Sequence, residues 1–181
     1  ASSVALAADG TVYSFGNNAN GQLGDGTTVN RNTPVKMLKG AYSGTIYIGD
    51  NINNPIIQIS SGESHSLLLA ADGTLFSIGN NANGQLGDGT LVTRTSPVRV
   101  LKGAYTGTTY LGDRITNPIV KIAAGPLHNL ALAADGTVFS FGDNTDGKLG
   151  DNTTLDKSSP VFVLKGLYPG TTNLGDNVVN P

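Results

Sequence analysis

Short alternating runs of apolar and polar residues follow one another along this chain, and turn residues cut every run. Val4-Ala-Leu-Ala-Ala leads into Asp9-Gly10, and Thr11-Val-Tyr-Ser-Phe follows. Two such runs split by Asp-Gly predict a β-hairpin, because Asp-Gly accepts positive φ at both central turn positions. After the turn, Val12, Ser14 and Gly16 share one face, and Tyr13 and Phe15 share the other. From Gly16 to Gly26, four glycines in eleven residues predict a tight loop of special backbone angles rather than a helix. Leu23 stands alone in that loop as a plug onto the core. Pro34-Val-Lys-Met-Leu predicts a third strand with Pro at its start. Ile56-Ile-Gln-Ile predicts another. The expected fold is all-β, with no helix.

The pattern then repeats. ADGTVYSFGNNANGQLGDGT from Ala8 returns from Ala71 and again from Ala134, at a spacing of 63 residues. A second phrase begins at Leu38, Leu101 and Leu164, and carries Lys-Gly-x-Tyr and a closing Asn-Pro in each copy. A fixed period of this size marks a repeat architecture, in which each unit buries its core against its neighbours. Four antiparallel strands per unit describe a propeller-type blade. The expected units are residues 1–55, which lack their first strand, 56–118 and 119–181. The chain is eight residues short of three full periods, and the shortfall corresponds to Ile56–Glu63. Three blades are too few to close a ring alone, since propellers use about four to eight. The expected partners are therefore further blades of a longer chain, or copies of this chain, closing into an oligomeric propeller or adding into a filament.

Composition narrows the partners. Charged residues make up 13% of the 181, about half the usual share, and the net charge is −2. No basic patch is visible, which argues against a nucleic-acid partner. No apolar run approaches the length of a membrane span. Absence of cysteine rules out disulfides and thiolate metal sites. The low-charge, Asn/Thr-rich composition suggests an extracellular or cell-surface protein.

The run GESHSLLLAADGTLFSIGNNANGQLG from Gly62, with its counterpart GPLHNLALAADGTVFSFGDNTDGKLG from Gly125, resembles the repeat of the regulator-of-chromosome-condensation family. That resemblance covers all three copies and implies β-propeller blades, usually about seven to a ring. The sequence departs from the family in two ways. Phe or Ile stands where the family often has Trp before the glycine, and a segment of roughly twenty residues, Leu38 to Pro55 and its copies, is extra.

Candidate chemistry is sparse. His65 and His128 occupy equivalent positions; the resemblance implies a half-buried imidazole bonded to backbone, and no partner constellation for catalysis is in view. Gly142 to Lys148 fails as a phosphate loop, because Leu149 follows the lysine and the sister copies carry Gln22 and Gln85. Gly62-Glu-Ser64-His-Ser66 lacks the closing glycine of a nucleophile elbow. Asp25, Asp88 and Asp151, and likewise Asp50, Asp113 and Asp176, recur without EF-hand spacing and are expected to bond turn backbone rather than calcium. Lys39, Lys102 and Lys165 recur beside Tyr42, Tyr105 and Tyr168. This pairing forms either a contact stripe for a partner chain or glycan, or a set of tyrosines packed onto their own units. Asn152-Thr153-Thr154 is an N-glycosylation sequon.

No catalytic residue, cofactor or metal site is therefore expected. The favoured function is a non-catalytic structural or interaction module. The alternatives are a binding propeller, whether a protein inhibitor or a carbohydrate-binding module, and, from the family resemblance, a small-GTPase exchange factor.

Overall fold

A computed structural model describes residues 1–107, 109–113, 116–167 and 172–175. Its strands are β1 (Ser2–Leu6), β2 (Val12–Gly16), β3 (Arg31–Lys36), β4 (Ile56–Ser61), β5 (His65–Ala70), β6 (Leu75–Gly79), β7 (Arg94–Arg99), β8 (Ile119–Ala124), β9 (His128–Ala133), β10 (Val138–Gly142) and β11 (Lys157–Phe162). They form three antiparallel sheets. The first is three-stranded, in the order β1-β2-β3. The second and third are four-stranded, β4 to β7 and β8 to β11. The repeat thus sets one sheet per unit, and the sheets do not close into a ring. We call them units 1, 2 and 3.

The hairpin forms where Asp-Gly predicts it, with a different turn. Ala7 donates to Thr11 O at 2.9 Å and Gly10 to Ala7 O at 3.0 Å, so the loop is Ala8-Asp9-Gly10. Only Gly10 in this loop has a positive φ, +89°. A type I turn closed by a left-handed glycine suits the strand twist as a two-residue turn would. The Asp9 carboxylate takes the Thr11 amide at 2.9 Å.

The proline is not at the start of its strand. Pro34 lies in the middle of β3, where the register jumps from Ser14 opposite Val35 to Gly16 opposite Arg31. A bulge on an edge strand is a place where the missing N–H removes no ladder bond.

The sheets stack face to face. Leu67, Leu69 and Leu75 of unit 2 share one buried cluster with Ala131, Ala133, Phe139 and Phe141 of unit 3. On the opposite face of unit 2, Leu68, Ala70, Phe76 and Ile78 pack with Val12, Met37 and Ile48 of unit 1. Period-two alternation therefore sends successive residues of β5 into two different interfaces. All six are buried, and each such leucine contributes about 1.5–3 kcal/mol.

Candidate functional site

The loop after the second strand is held by one asparagine per unit. Asn81 is fully buried. Its amide nitrogen lies 3.0 Å from Asp88 Oδ1, 3.0 Å from Thr90 O and 3.2 Å from Val92 O, while its oxygen accepts from the Leu86 amide at 2.8 Å. Asn18 and Asn144 do the same in the other units. The aspartate they reach is in turn paired with a cation: Asp25 with Arg31 and Asp88 with Arg94, both at 2.7 Å, and Asp151 with Lys157 at 3.1 Å. Burial works against ionisation of Asp88, but Thr90 and Arg94 outweigh it and lower its pKa. The recurrent aspartates are thus loop fasteners, as the turn chemistry predicts. Leu23, Leu86 and Leu149 are the fully buried plugs of these loops. The asparagine fastener escaped sequence reasoning, although its signal was present: the residue two after the loop's first glycine is Asn in every copy.

The Lys-Gly-x-Tyr segment is fastened in the same way. Leu38 bridges Tyr47, and Asp50 accepts from the amides of Thr45, Ile46 and Tyr47 and from the Thr45 hydroxyl. Burial opposes the charge on Asp50, yet these donors bring its pKa down to about 2. Asp176 lies outside the described residues.

Tyr42 and Tyr105 do not form an exposed stripe. Tyr42 and Tyr105 are each 2% exposed. Their hydroxyls donate to Asn54 O and Asn117 O, both at 2.5 Å. Their rings meet Phe76 and Phe139 of the following unit edge-on, at 5.6 Å in both cases. Each hydroxyl ties the segment to its own unit, as one of the two readings expects, while each ring reaches the next unit, so these tyrosines are struts between units. The apolar ring is worth more buried against the next sheet than in water. Lys39 and Lys102 reach back to Gly44 O and Gly107 O. Lys165 is half-buried, and Tyr168 lies outside the described residues.

What the structure brings together is the seam between units. Across the first seam, Gly26 donates to Thr95 O at 3.0 Å and Ala41 to Pro97 O at 2.8 Å. Across the second, Gly89 donates to Ser158 O and Ala104 to Pro160 O, both at 2.8 Å. The outer strand of one unit thus lies in a groove of the unit before it. The groove floor is glycine for steric reasons as well as conformational ones: a Cβ on Gly21 would lie 2.7 Å from Thr95 Cγ2, and Gly40 runs against the Pro97 backbone. Side chains add marks particular to one seam. Asn83 donates to Asp156 at 3.0 Å, and Gln58 exchanges two bonds with the Ile122 backbone.

His65 belongs to the second seam. Its Nε2 lies 2.8 Å from Asn129 Oδ1. Asn129 spends its nitrogen on Gln85 O, so its oxygen is the acceptor and His65 carries its proton on Nε2. Its Nδ1 is buried without a partner. Burial lowers the His65 pKa, partly offset by Asn129, and nearby His128 lowers it further. The imidazole bonds a side chain of the next sheet, not the backbone its family resemblance implied.

Unit 3 varies several positions of this loop. Asn17–Gln22 and Asn80–Gln85 are amide pairs at 2.9 and 3.0 Å, whereas unit 3 carries Asp143 with Lys148. Lys148 holds the Asp143 carboxyl down at about 2. Asn152 is exposed and left-handed at φ +63°, where Gly26 and Gly89 have +80° and +78°. Asparagine is among the few side chains that visit this region readily. Among the described residues, no three His, Cys, Asp or Glu groups come together as a metal site, and no helix is long and apolar enough to cross a membrane.

Comparison with known proteins matches residues 9–69, 72–132 and 135–172 to the family model described as Regulator of chromosome condensation (RCC1) repeat. The human probable E3 ubiquitin-protein ligase HERC6 is 36% identical over 165 residues, which cover 89% of this chain and 14% of that protein. Human probable E3 ubiquitin-protein ligase HERC3 is 35% identical over 167 residues, 90% of this chain and 13% of that protein. The chain therefore spans about one seventh of these relatives' length. Among solved structures, Prp20p from Saccharomyces cerevisiae superposes with a TM-score of 0.65 at 24% identity, covering 88% of this chain and 35% of that one. The expectation of an extracellular or cell-surface location is overturned by these matches: the Prp20p structure was reported with its binding to Gsp1p and histones, and the relatives are named as ubiquitin-protein ligases. The Asn/Thr-rich composition behind that expectation has a structural explanation in the loop fasteners. Glycosylation of Asn152, which required an extracellular location, loses its premise.

Proposed function

This chain belongs to the regulator-of-chromosome-condensation repeat family, and we propose that it works as a non-catalytic interaction module whose open blade faces receive further blades of the same kind. One observation carries this. The residues on its two open faces match, position by position, those buried in its internal seams. Leu130, Leu132 and Val138 of unit 3 stand where Leu67, Leu69 and Leu75 of unit 2 are buried against unit 3. Ala5, Tyr13 and Phe15 of unit 1 stand where Leu68, Phe76 and Ile78 of unit 2 are buried against unit 1. Leu130 is 37% exposed, whereas its counterpart Leu67 is fully buried. Apolar sheet faces of this kind call for a cover. Further blades of a longer chain, or blades of another chain, have the matching surface.

Three features support the absence of catalysis. The recurrent carboxylates are engaged in their own loops, His65 is sealed in a seam, and the matched part of the ligase relatives is their repeat region. The ligase activity in those relatives' names, and the Gsp1p and histone binding in the Prp20p description, stay with those proteins.

The test is to lengthen the chain by a copy of residues 56–118 after Pro181. The expected outcome is a higher melting temperature and weaker binding of a hydrophobic dye than for the 181-residue chain. A lengthened chain that melts no higher refutes the reading.

A further inference from the structure

The groove of unit 3 has counterparts in units 1 and 2 that show what fills it. In units 1 and 2 the groove between the glycine loop and the start of the Lys-Gly-x-Tyr segment holds β7 or β11 of the next unit. Two amides of the groove serve two carbonyls, two residues apart on that strand. In unit 3 the same groove is open. It measures about 740 Å³ and is lined by Gly147, Gly150, Asn152, Thr153, Leu164 and Gly166. A Cβ on Gly166 would meet nothing within 4 Å, and one on Gly147 would come no nearer than 3.7 Å to Thr153 O. The amides of Asn152 and Leu167 correspond to those of Gly26 and Ala41, and among the described residues neither has a backbone partner.

We infer that this groove takes strand β3, Arg31–Lys36, of a second copy of the chain, with Asn152 N and Leu167 N donating to the Asn32 and Pro34 carbonyls. The inference rests on the assembly reading above and names its occupant. Asn32-Thr33-Pro34 corresponds to Thr95-Ser96-Pro97 and Ser158-Ser159-Pro160, the segments seated in the two filled grooves. All three of its residues are exposed.

A polar pair selects this copy. At the second seam the Asn83 amide donates to Asp156, whose other oxygen takes the Asn144 amide. Unit 3 has Asp146 in place of Asn83, and unit 1 has Asn30 in place of Asp156. Asn30 Oδ1 already takes the Asn18 amide at 2.8 Å, which leaves its nitrogen to donate. The Asp146 side chain is 84% exposed, and although its Oδ2 lies 3.6 Å from Lys148 Nζ, its Oδ1 is left to accept. Carboxylate and amide have changed places, so the donor–acceptor match is kept when unit 1 of one copy follows unit 3 of another. Such a contact is heterologous, using different surfaces on the two copies, and it builds closed rings or open fibres.

The test is sedimentation velocity of the intact 181-residue chain over a range of concentrations, with variants that leave exposed positions folded. Weight-average mass should rise with concentration. Asn32→Trp, which cannot enter a glycine-floored groove, should weaken association about tenfold or more. Asp146→Lys alone and Asn30→Asp alone should each weaken it, and the double variant should restore it, because an ammonium then faces a carboxylate. Unit 3 already carries Asp at the position of Asn30, so the fold accepts that change. Because the chain has no cysteine, Asn32→Cys with Asn152→Cys should yield disulfide-linked multimers that either single change lacks. A chain that associates but is indifferent to Asn32→Trp and to the charge exchange overturns the groove and leaves the assembly reading standing. A chain that stays monomeric overturns the second copy as occupant, while the lengthened chain judges the assembly reading separately.

Discussion

Replacing Asn81 with alanine removes five hydrogen bonds from a side chain that is fully buried at the base of its loop. The Leu86 amide loses its acceptor in a place that water does not reach. That orphan alone costs about 1–3 kcal/mol. Asp88 loses a donor, worth about 1 kcal/mol more. Thr90 O and Val92 O lie nearer solvent, since Val92 is 57% exposed, and water can replace their partner. The expected loss is about 3 kcal/mol, which lowers the melting temperature by roughly 6–12 °C in a chain of this size. Asn81→Asp separates the two ends of the amide. It keeps the acceptor for Leu86 but sets a second carboxylate beside Asp88, where the amide nitrogen now lies 3.0 Å away. At neutral pH it should cost at least as much as alanine. The crowded new carboxyl has a raised pKa, so acidification protonates it and recovers part of the loss. Thermal unfolding followed by circular dichroism at two pH values measures both variants. If Asn81→Asp melts with the unaltered chain at neutral pH, or Asn81→Ala changes stability by less than about 0.5 kcal/mol, the fastener is not what holds the loop.

Other outcomes follow from the same geometry. Leu86→Ala empties a fully buried plug and should cost about 2–5 kcal/mol in urea unfolding; a loss below about 1 kcal/mol would show that the loop holds without it. Asp143→Asn and Lys148→Gln should each destabilise unit 3, while the double variant rebuilds the Asn80–Gln85 pair and recovers most of the loss; strict additivity of the two would contradict the exchange. The folded-state pKa of His65 lies below its ordinary 6.5, because burial disfavours the imidazolium. Its contribution is fully present above pH 6.5 and is lost as pH falls through the folded value. Stability measured from pH 7.5 downward should show that loss, and His65→Gln should flatten it; an unchanged slope would place the acid sensitivity elsewhere.

The sheets were legible because local rules and the global fold agree. The hairpin, the glycine loop with its plugging leucine, and the missing strand of unit 1 can all be read from spacing. Pro34 misled because a proline at a strand start and one in an edge bulge look alike until the register is known. Tyr42 and Tyr105 misled for a related reason. Their recurrence is equally required of a tyrosine facing a partner and of one facing the next unit, and only the stacking of sheets decides. The asparagine fastener was the more instructive omission. A polar residue in a glycine-rich loop reads as solvated, and nothing in its own neighbourhood announces burial; only its constancy across three copies set it apart from the positions that vary. Location lay beyond the sequence, because low charge and abundant Asn and Thr serve tight loops in any compartment.

The near-identity of the two seams bears on how the chain finds its fold. The Gly26 amide recognises a backbone carbonyl beside a small residue, and Thr95 and Ser158 offer it the same thing. During refolding, the loop of unit 1 can therefore capture the outer strand of unit 3 almost as readily as that of unit 2. Such a capture would leave unit 2 stranded in a kinetic trap. The shorter connection favours the neighbouring strand through a smaller loop-closure entropy. Beyond that, side-chain bonds particular to one seam distinguish it from the other, among them Asn83 to Asp156, Gln58 to Ile122 and His65 to Asn129. These few side chains act as addresses, and their erasure would show first as slower and more branched refolding, before any loss of equilibrium stability.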